Sequence, residues 1–99
     1  MSLKNEILSY LRKHKTEFEI EYSVIKLGLF GSIAEGNDDN ESDIDIILDF
    51  APNTESIYQK KMSIRKALQE RFGRNVDICT EKFLKPYFKE NILKTTTNV

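Results

Sequence analysis

Two aspartates, Asp43 and Asp45, stand one residue apart in the run Ser42 to Phe50, which alternates polar and apolar residues as a half-buried strand does. On a strand, alternate side chains leave the same face, and these two carboxylates start about 6.8 Å apart at the backbone. From there both can converge on one hard cation, which takes oxygen ligands. A third acid, Asp77, sits inside the short apolar run Asn75-Val76-Asp77-Ile78-Cys79. Neighbouring strands lie about 4.8 Å apart, so that run could place Asp77 beside the pair. The apolar run Val24 to Phe30 leads straight into Gly31-Ser32. Glycine permits a tight turn and close backbone approach, and the amides that follow can point at phosphate oxygens. Ser32-Ile33-Ala34-Glu35 matches a Ser-x-x-Glu capping box, so a short helix is expected to open at Ser32, its free amides facing the carboxylates. Phosphate on one side and metal ligands on the other is what metal-assisted phosphoryl or nucleotidyl transfer requires. Two ions about 3.5–4 Å apart would stabilise attacking and leaving oxygens together.

Each piece alone has a plainer use. An isolated Asp-x-Asp is more often the solvent face of an edge strand, a lone strand aspartate is more often a surface residue, and Gly-Ser more often turns or caps the chain. The ordered combination of strand, Gly-Ser, Asp-x-Asp on a strand and a further strand aspartate is what favours a catalytic site.

The elements that must position these residues can be read from periodicity. Leu3, Ile7, Leu8 and Leu11 share one face of a helix over about Leu3 to Lys13, with Ser2 as its cap. Residues 15–22 fit either a continued helix or a strand through Phe18, Ile20 and Tyr22. Val24 to Phe30 reads as a buried strand. In the strand Ser42 to Phe50, Ile44, Ile46, Leu48 and Phe50 take one face, while Asp43, Asp45, Ile47 and Asp49 take the other. Glu55 to Phe72 reads as a long helix with Ile57, Ile64, Leu68 and Phe72 inward, ended by Gly73. Asn75 to Cys79 is a short third strand, and a last helix begins near Pro86. The tail, from about residue 95, is expected to fray. These elements predict an α/β (α+β) fold, a small mixed β-sheet carrying the aspartates on one face and packed by helices on the other.

Ninety-nine residues make a single domain spanning 1–99. With 39% hydrophobic and 31% charged residues, the chain has a globular rather than a disordered composition. No apolar stretch approaches the roughly 20 residues of a membrane helix, and no signal-peptide pattern opens the sequence. A lone cysteine, Cys79, excludes an internal disulfide framework; with a lone histidine, His14, it also excludes a zinc cluster. A cytoplasmic location is the expectation. The net charge of −1 argues against direct nucleic-acid binding. That charge is unevenly spread, since Leu27 to Gln59 holds eight of the sixteen acids and no Lys or Arg. An acidic middle between basic flanks suits a cation site, or equally a solvated loop beside solvated helices.

Leu29-Phe30-Gly31-Ser32, Gly36 and Ser42-Asp43-Ile44-Asp45 resemble the signature of the minimal nucleotidyltransferases, within the DNA-polymerase-beta-like superfamily. The likeness runs on through Val76-Asp77-Ile78, similar to the family's third-carboxylate strand, into Leu84-Lys85-Pro86, and so covers most of the chain. The resemblance implies that Asp43, Asp45 and Asp77 bind catalytic Mg2+, two ions being expected. It further implies that Asp77 polarises the nucleophile and that Gly31 and Ser32 hold the triphosphate of ATP or another NTP. It implies transfer of AMP to an acceptor, typically a tyrosine of a HEPN-type toxin partner in a prokaryotic toxin–antitoxin pair; the alternative is a non-catalytic antitoxin that acts by binding. Homo- and hetero-oligomers both remain open. One departure is plain: many relatives carry arginine where this chain has Ile33 and Glu35, and an acid there repels a triphosphate unless capping turns it away.

Rival motifs fail on residue type. Gly31-x-x-x-x-Gly36 lacks the Lys and Ser/Thr of a P-loop, having Asn37-Asp38 instead. Gly28 and Gly31 break the dinucleotide-binding spacing. Asp38, Asn40 and Ser42 open like an EF-hand, but Asp43 then stands where glycine is required. His14 reads as a surface residue without an acidic partner, and Cys79 as a small core residue. Lys60, Lys61, Arg65, Lys66 and Arg71 could lean toward phosphate from their helix, or simply form its solvated face.

Overall fold

The computed structural model describes residues 2–99. Helix α1 (Leu3–Tyr22) leads into strand β1 (Val24–Phe30), which runs without a break into the one-turn helix α2 (Gly31–Glu35). Strand β2 (Ile44–Phe50), helix α3 (Ile57–Phe72) and strand β3 (Val76–Thr80) follow; a 3-10 turn (Glu81–Phe83), helix α4 (Pro86–Thr95) and the two-residue strand β4 (Thr97–Asn98) close the chain. The four strands form one mixed sheet in the order β3-β2-β1-β4. β1 is antiparallel to both β2 and β4, while β2 and β3 are parallel. A parallel pair needs a crossover connection, and α3 supplies it.

The alternation in β2 decides the layering. Ile44, Ile46 and Leu48 are fully buried against α1 and α3. From α1 come Ile7, Leu11 and Phe18, and from α3 Ile64 and Leu68, each at helical spacing. The edge-on contact of Tyr10 with Phe72, ring centroids 5.6 Å apart, ties the two helices together on that face. Residues 15–22 resolve as helix because Phe18 falls on the Ile7–Leu11 stripe, and Ser23 ends α1 with a left-handed φ of 61°. Ser2 caps it, its hydroxyl accepting from the Asn5 N–H at 3.1 Å. Gly73 ends α3 in the same left-handed way.

Four expectations change. The helices are not confined to the face opposite the aspartates. α4 packs against α2 and β1, and Thr96, which caps it, comes down over Gly28 beside Ile47 on the aspartate face. The tail does not fray. Thr97 and Asn98 pair with Leu29 and Gly28, the Val99 N–H donates to the Leu27 carbonyl at 3.0 Å, and Lys15 Nζ donates to the Val99 carbonyl at 3.1 Å. β1 is not buried throughout, because a bulge between Val24 and Lys26 turns Ile25 and Lys26 outward. His14 does have an acidic partner, Glu17 one turn on, at 2.8 Å. No described helix is long and apolar enough to cross a membrane.

Candidate active site

Parallel pairing of β2 with β3 sets Asp45 directly opposite Asp77 and Ile47 opposite Cys79. Cross-strand partners share a face, so Asp45 and Asp77 are neighbours on the face opposite Ile44, Ile46 and Leu48. Antiparallel pairing with β1 adds Phe30, the partner of Asp45. Asp43 lies one residue before β2 and is exposed. Its strand stops short because Ser42 belongs to a turn built around Asp39. The Asp39 carboxylate accepts from the Glu41 N–H at 2.8 Å, and Ser42 Oγ accepts from the Asp39 N–H at 2.9 Å. The Glu41 amide first, and then the Ser42 hydroxyl donating to the same carboxylate, hold the Asp39 carboxyl below its usual range. Arg74 pins the turn to the start of β3, its Nη1 donating to the Asp39 and Ser42 carbonyls at 3.0 and 2.8 Å. Asp43 is therefore aimed by a side chain that its own neighbourhood in sequence does not reveal.

Gly31 reaches the carboxylates from the other side. Its φ is +79°, and a β-carbon there would collide with the Asp45 carboxylate. Left-handed backbone and lack of space both demand glycine. The helix that follows begins at Gly31 with Phe30 as N-cap, two residues before the Ser32 cap that the capping box predicts, and has no side-chain cap bond. Ser32 is half-buried in the first turn, and Glu35 is exposed at the far end, so the two make no reciprocal cap. Ile33 and Ala34 fix α2 instead by burying themselves in the core.

The electrostatics fit a cation. Asp45 is pushed up to about 6, first by burial and then by the charges of Asp77 and Asp43. Asp45 and Asp77 are two hard oxygen donors on one face, and among the described residues no ion pair to a protein cation engages them; oxygen donors of this kind suit a hard cation. Among the described residues no three His, Cys, Asp or Glu side chains close on a single point; Asp45 and Asp77 form the fixed pair, whereas Asp43 lines a separate cavity with Ser42, Arg74 and Asn75. Asp49, two residues past Ile47 on the same face, is separately engaged, accepting from the Lys82 N–H at 2.9 Å.

A cavity of about 540 Å³ opens over Asp45 and Asp77. Its far wall is α3, through Tyr58, Lys61, Met62 and Arg65, and Cys79 lies on its floor. Of the helix's bases, Lys61 and Arg65 thus reach the cleft. Lys60 donates to the Glu55 carbonyl, and Arg71 sits over Phe72. The spacing of Lys61 and Arg65, one turn apart, was the available signal for this wall. Cys79 is half-buried rather than core, and burial pushes its thiol up while Lys61 pulls the other way.

Residues 11–98 match the family model described as a nucleotidyltransferase domain. A candidate protein adenylyltransferase of Methanocaldococcus jannaschii is 37% identical over 93 residues, covering 93% of this chain and 93% of that protein. The protein adenylyltransferase MntA of Thermococcus cleftensis is 30% identical over 94 residues, covering 95% and 93%. A solved structure described as a candidate minimal nucleotidyltransferase superposes with a TM-score of 0.77 at 25% identity, covering all of this chain and 97% of that one. A crystal structure of a toxin–antitoxin complex with AMP-PNP shares the fold, with a TM-score of 0.68 at 20% identity over 97% of this chain and 71% of that one.

Proposed function

The chain belongs to the nucleotidyltransferase domain family, and from that premise we propose that it transfers AMP from ATP to a tyrosine hydroxyl of a HEPN-type toxin partner, acting as the antitoxin. One observation carries the chemistry: the strand register sets Asp45 against Asp77 on one face, with the Gly31 backbone closed onto Asp45. In this reading Asp43, Asp45 and Asp77 hold Mg2+, and Gly31 and Ser32 hold the polyphosphate. Bound there, the metal supplies charge neutralisation for the triphosphate and for the attacking and leaving oxygens. Asp77 polarises the acceptor hydroxyl. The acceptor oxygen forms its bond to the α-phosphorus as the bond from that phosphorus to the bridging oxygen breaks. Pyrophosphate leaves, and the hydroxyl proton passes to the carboxylate side. Support for the nucleotide and the acceptor class comes from relatives named protein adenylyltransferases and from the shared fold of a toxin–antitoxin pair with AMP-PNP.

The test is transfer of label from α-labelled ATP to a co-expressed HEPN-type partner. Wild type should label the partner only with Mg2+ present; Asp43→Asn should abolish labelling while leaving the fold and partner binding intact. A second reading, neutralisation by binding alone, draws on Glu35, which is exposed beside the turn and not withdrawn into a cap. If a variant lacking all three aspartates still neutralises the partner, the enzymatic reading loses.

A further inference from the structure

The two sides of the cleft can be told apart by strand order. Gly31 and α2 follow β1 and close on Asp45 in β2. Asp77 lies one strand further out, in β3, which is the edge of the sheet. Beyond that edge stands the α3 wall. Phosphoryl displacement places the attacking and leaving oxygens roughly in line on opposite sides of phosphorus. With the polyphosphate over α2, the attacking oxygen arrives from the β3 side.

That side is cationic and unpaired. Among the described residues neither Lys61 nor Arg65 makes an ion pair, although both line the cavity that holds two carboxylates. Arg65 Nε is buried and has no hydrogen-bond partner. Buried donors are almost always satisfied, and leaving one bare costs more than its bond would return. Tyr58 and Met62, on the same helical face, leave apolar surface open beside the two cations: Tyr58 is 71% exposed and Met62 38%.

Resting on the proposed nucleotidyl transfer, we infer that the α3 wall receives the acceptor, and that the acceptor hydroxyl is flanked by Asp or Glu side chains in a protein segment. Charge complementarity selects that occupant. An acidic segment meets Lys61 and Arg65 at the cavity wall and leaves Asp45 and Asp77 free for metal. A basic segment would be repelled by the wall and drawn onto the metal-binding carboxylates. The open face of Tyr58 and Met62 takes the apolar part of the same segment.

The probes are two fluorescein-labelled tyrosine peptides of equal length, one with glutamate flanks and one with lysine flanks. Each is titrated with the full chain in Mg2+ and a non-hydrolysable ATP analogue, and binding is read by fluorescence anisotropy. Wild type should bind the glutamate peptide about tenfold or more tighter. Lys61→Glu with Arg65→Glu should reverse the preference, and the milder pair Lys61→Gln with Arg65→Gln should shrink it to within about threefold. The rise in melting temperature with Mg2+ and ATP should persist in both pairs of variants. The inference is overturned by binding to neither peptide, by equal binding, or by a preference that survives the substitutions. It is also overturned if the Mg2+–ATP shift vanishes with Lys61 and Arg65, since they would then serve the triphosphate. A wild type with no Mg2+–ATP shift sinks the nucleotidyl-transfer reading and this inference together; a normal shift without peptide preference sinks the inference alone.

Discussion

At the scale of single residues, Asp45 carries a charge that its surroundings oppose. It is half-buried, faces Asp77 and stays near Asp43, and these together raise its pKa to about 6. A carboxyl whose folded pKa exceeds its unfolded value binds protons better when folded, so the metal-free protein loses stability as pH rises from about 4 to about 6. Asp45→Asn should therefore stabilise the metal-free protein at pH 7–8 by about 1 kcal/mol, a figure kept small because water still reaches the group. That gain should disappear below about pH 4 while Mg2+-dependent transfer is abolished at every pH. Urea melts of both proteins across pH 3–8 check the first part, and a variant less stable than wild type at pH 8 would contradict it. Glu81 behaves oppositely. The Lys26 ammonium, 2.8 Å away, holds its carboxyl below the usual range, so its stabilisation is present at neutral pH and fades as pH falls through that range. Glu81 is buried and Lys26 is not. Lys26→Met strands a buried charge and should cost about 2–3 kcal/mol, whereas Glu81→Gln leaves a lysine that water can solvate and should cost about 1 kcal/mol or less. Equal losses in chemical denaturation would refute that asymmetry.

At the scale of elements, Gly28 lets the end of the chain cover the sheet. A β-carbon there would stand 2.7 Å from Thr96 Cγ2, 3.2 Å from the Thr97 carbonyl oxygen and 3.3 Å from Ile47 Cγ2. Gly28→Ala should lift β4 from β1, costing about 1–3 kcal/mol and speeding hydrogen exchange at Val99, whose amide bonds to Leu27; unchanged exchange there would rule the contact unimportant. The amino-acid pattern was most legible where one rule dominates. The alternation of β2, broken only by Ile47, set its faces, the helical stripe of Ile64 and Leu68 set α3, and Pro86 and Gly73 marked helix ends. It failed where tertiary contacts outrank local signals. Ser32 and Glu35 have capping-box spacing, yet burial of Ile33 and Ala34 and the approach of Gly31 to Asp45 set the start of α2. The threonine-rich tail has no hydrophobic period, and its order comes from backbone groups that β1 leaves open. In the cleft, Gly31, Asp45 and Asp77 could be picked out by type and spacing. Arg74, which aims Asp43 from 31 residues away, could not.

At the scale of the molecule, a net charge of −1 hides an acidic cleft facing a cationic helix wall. ATP alone should be turned away by the carboxylates, and Mg2+ alone has few neutralised partners to gain. Together they should bind the folded state, adding about 2.7 kcal/mol at roughly 100 times the dissociation constant, a melting shift of roughly 11–20 °C for a domain of this size. Thermal scans with ATP, with Mg2+ and with both, on wild type and Asp43→Asn, should show the large shift only for wild type with both; a shift with ATP alone would contradict a metal-dependent site. The Cα extents of 37 × 31 × 19 Å describe a slab about one sheet and one helix layer thick, which is why the aspartate face stays open beside α4. The pairing of Asp45 with Asp77 also has a consequence in time. These residues become neighbours only when β3 docks parallel to β2 across the whole of α3, a long-range closure that is slow compared with forming a hairpin. On the proposed nucleotidyl transfer, a chain still emerging from the ribosome, or one that has misfolded, would lack the carboxylate pair that ATP binding needs. Nucleotide occupancy would then read out completed folding, and a half-made copy would be unable to consume ATP by that route.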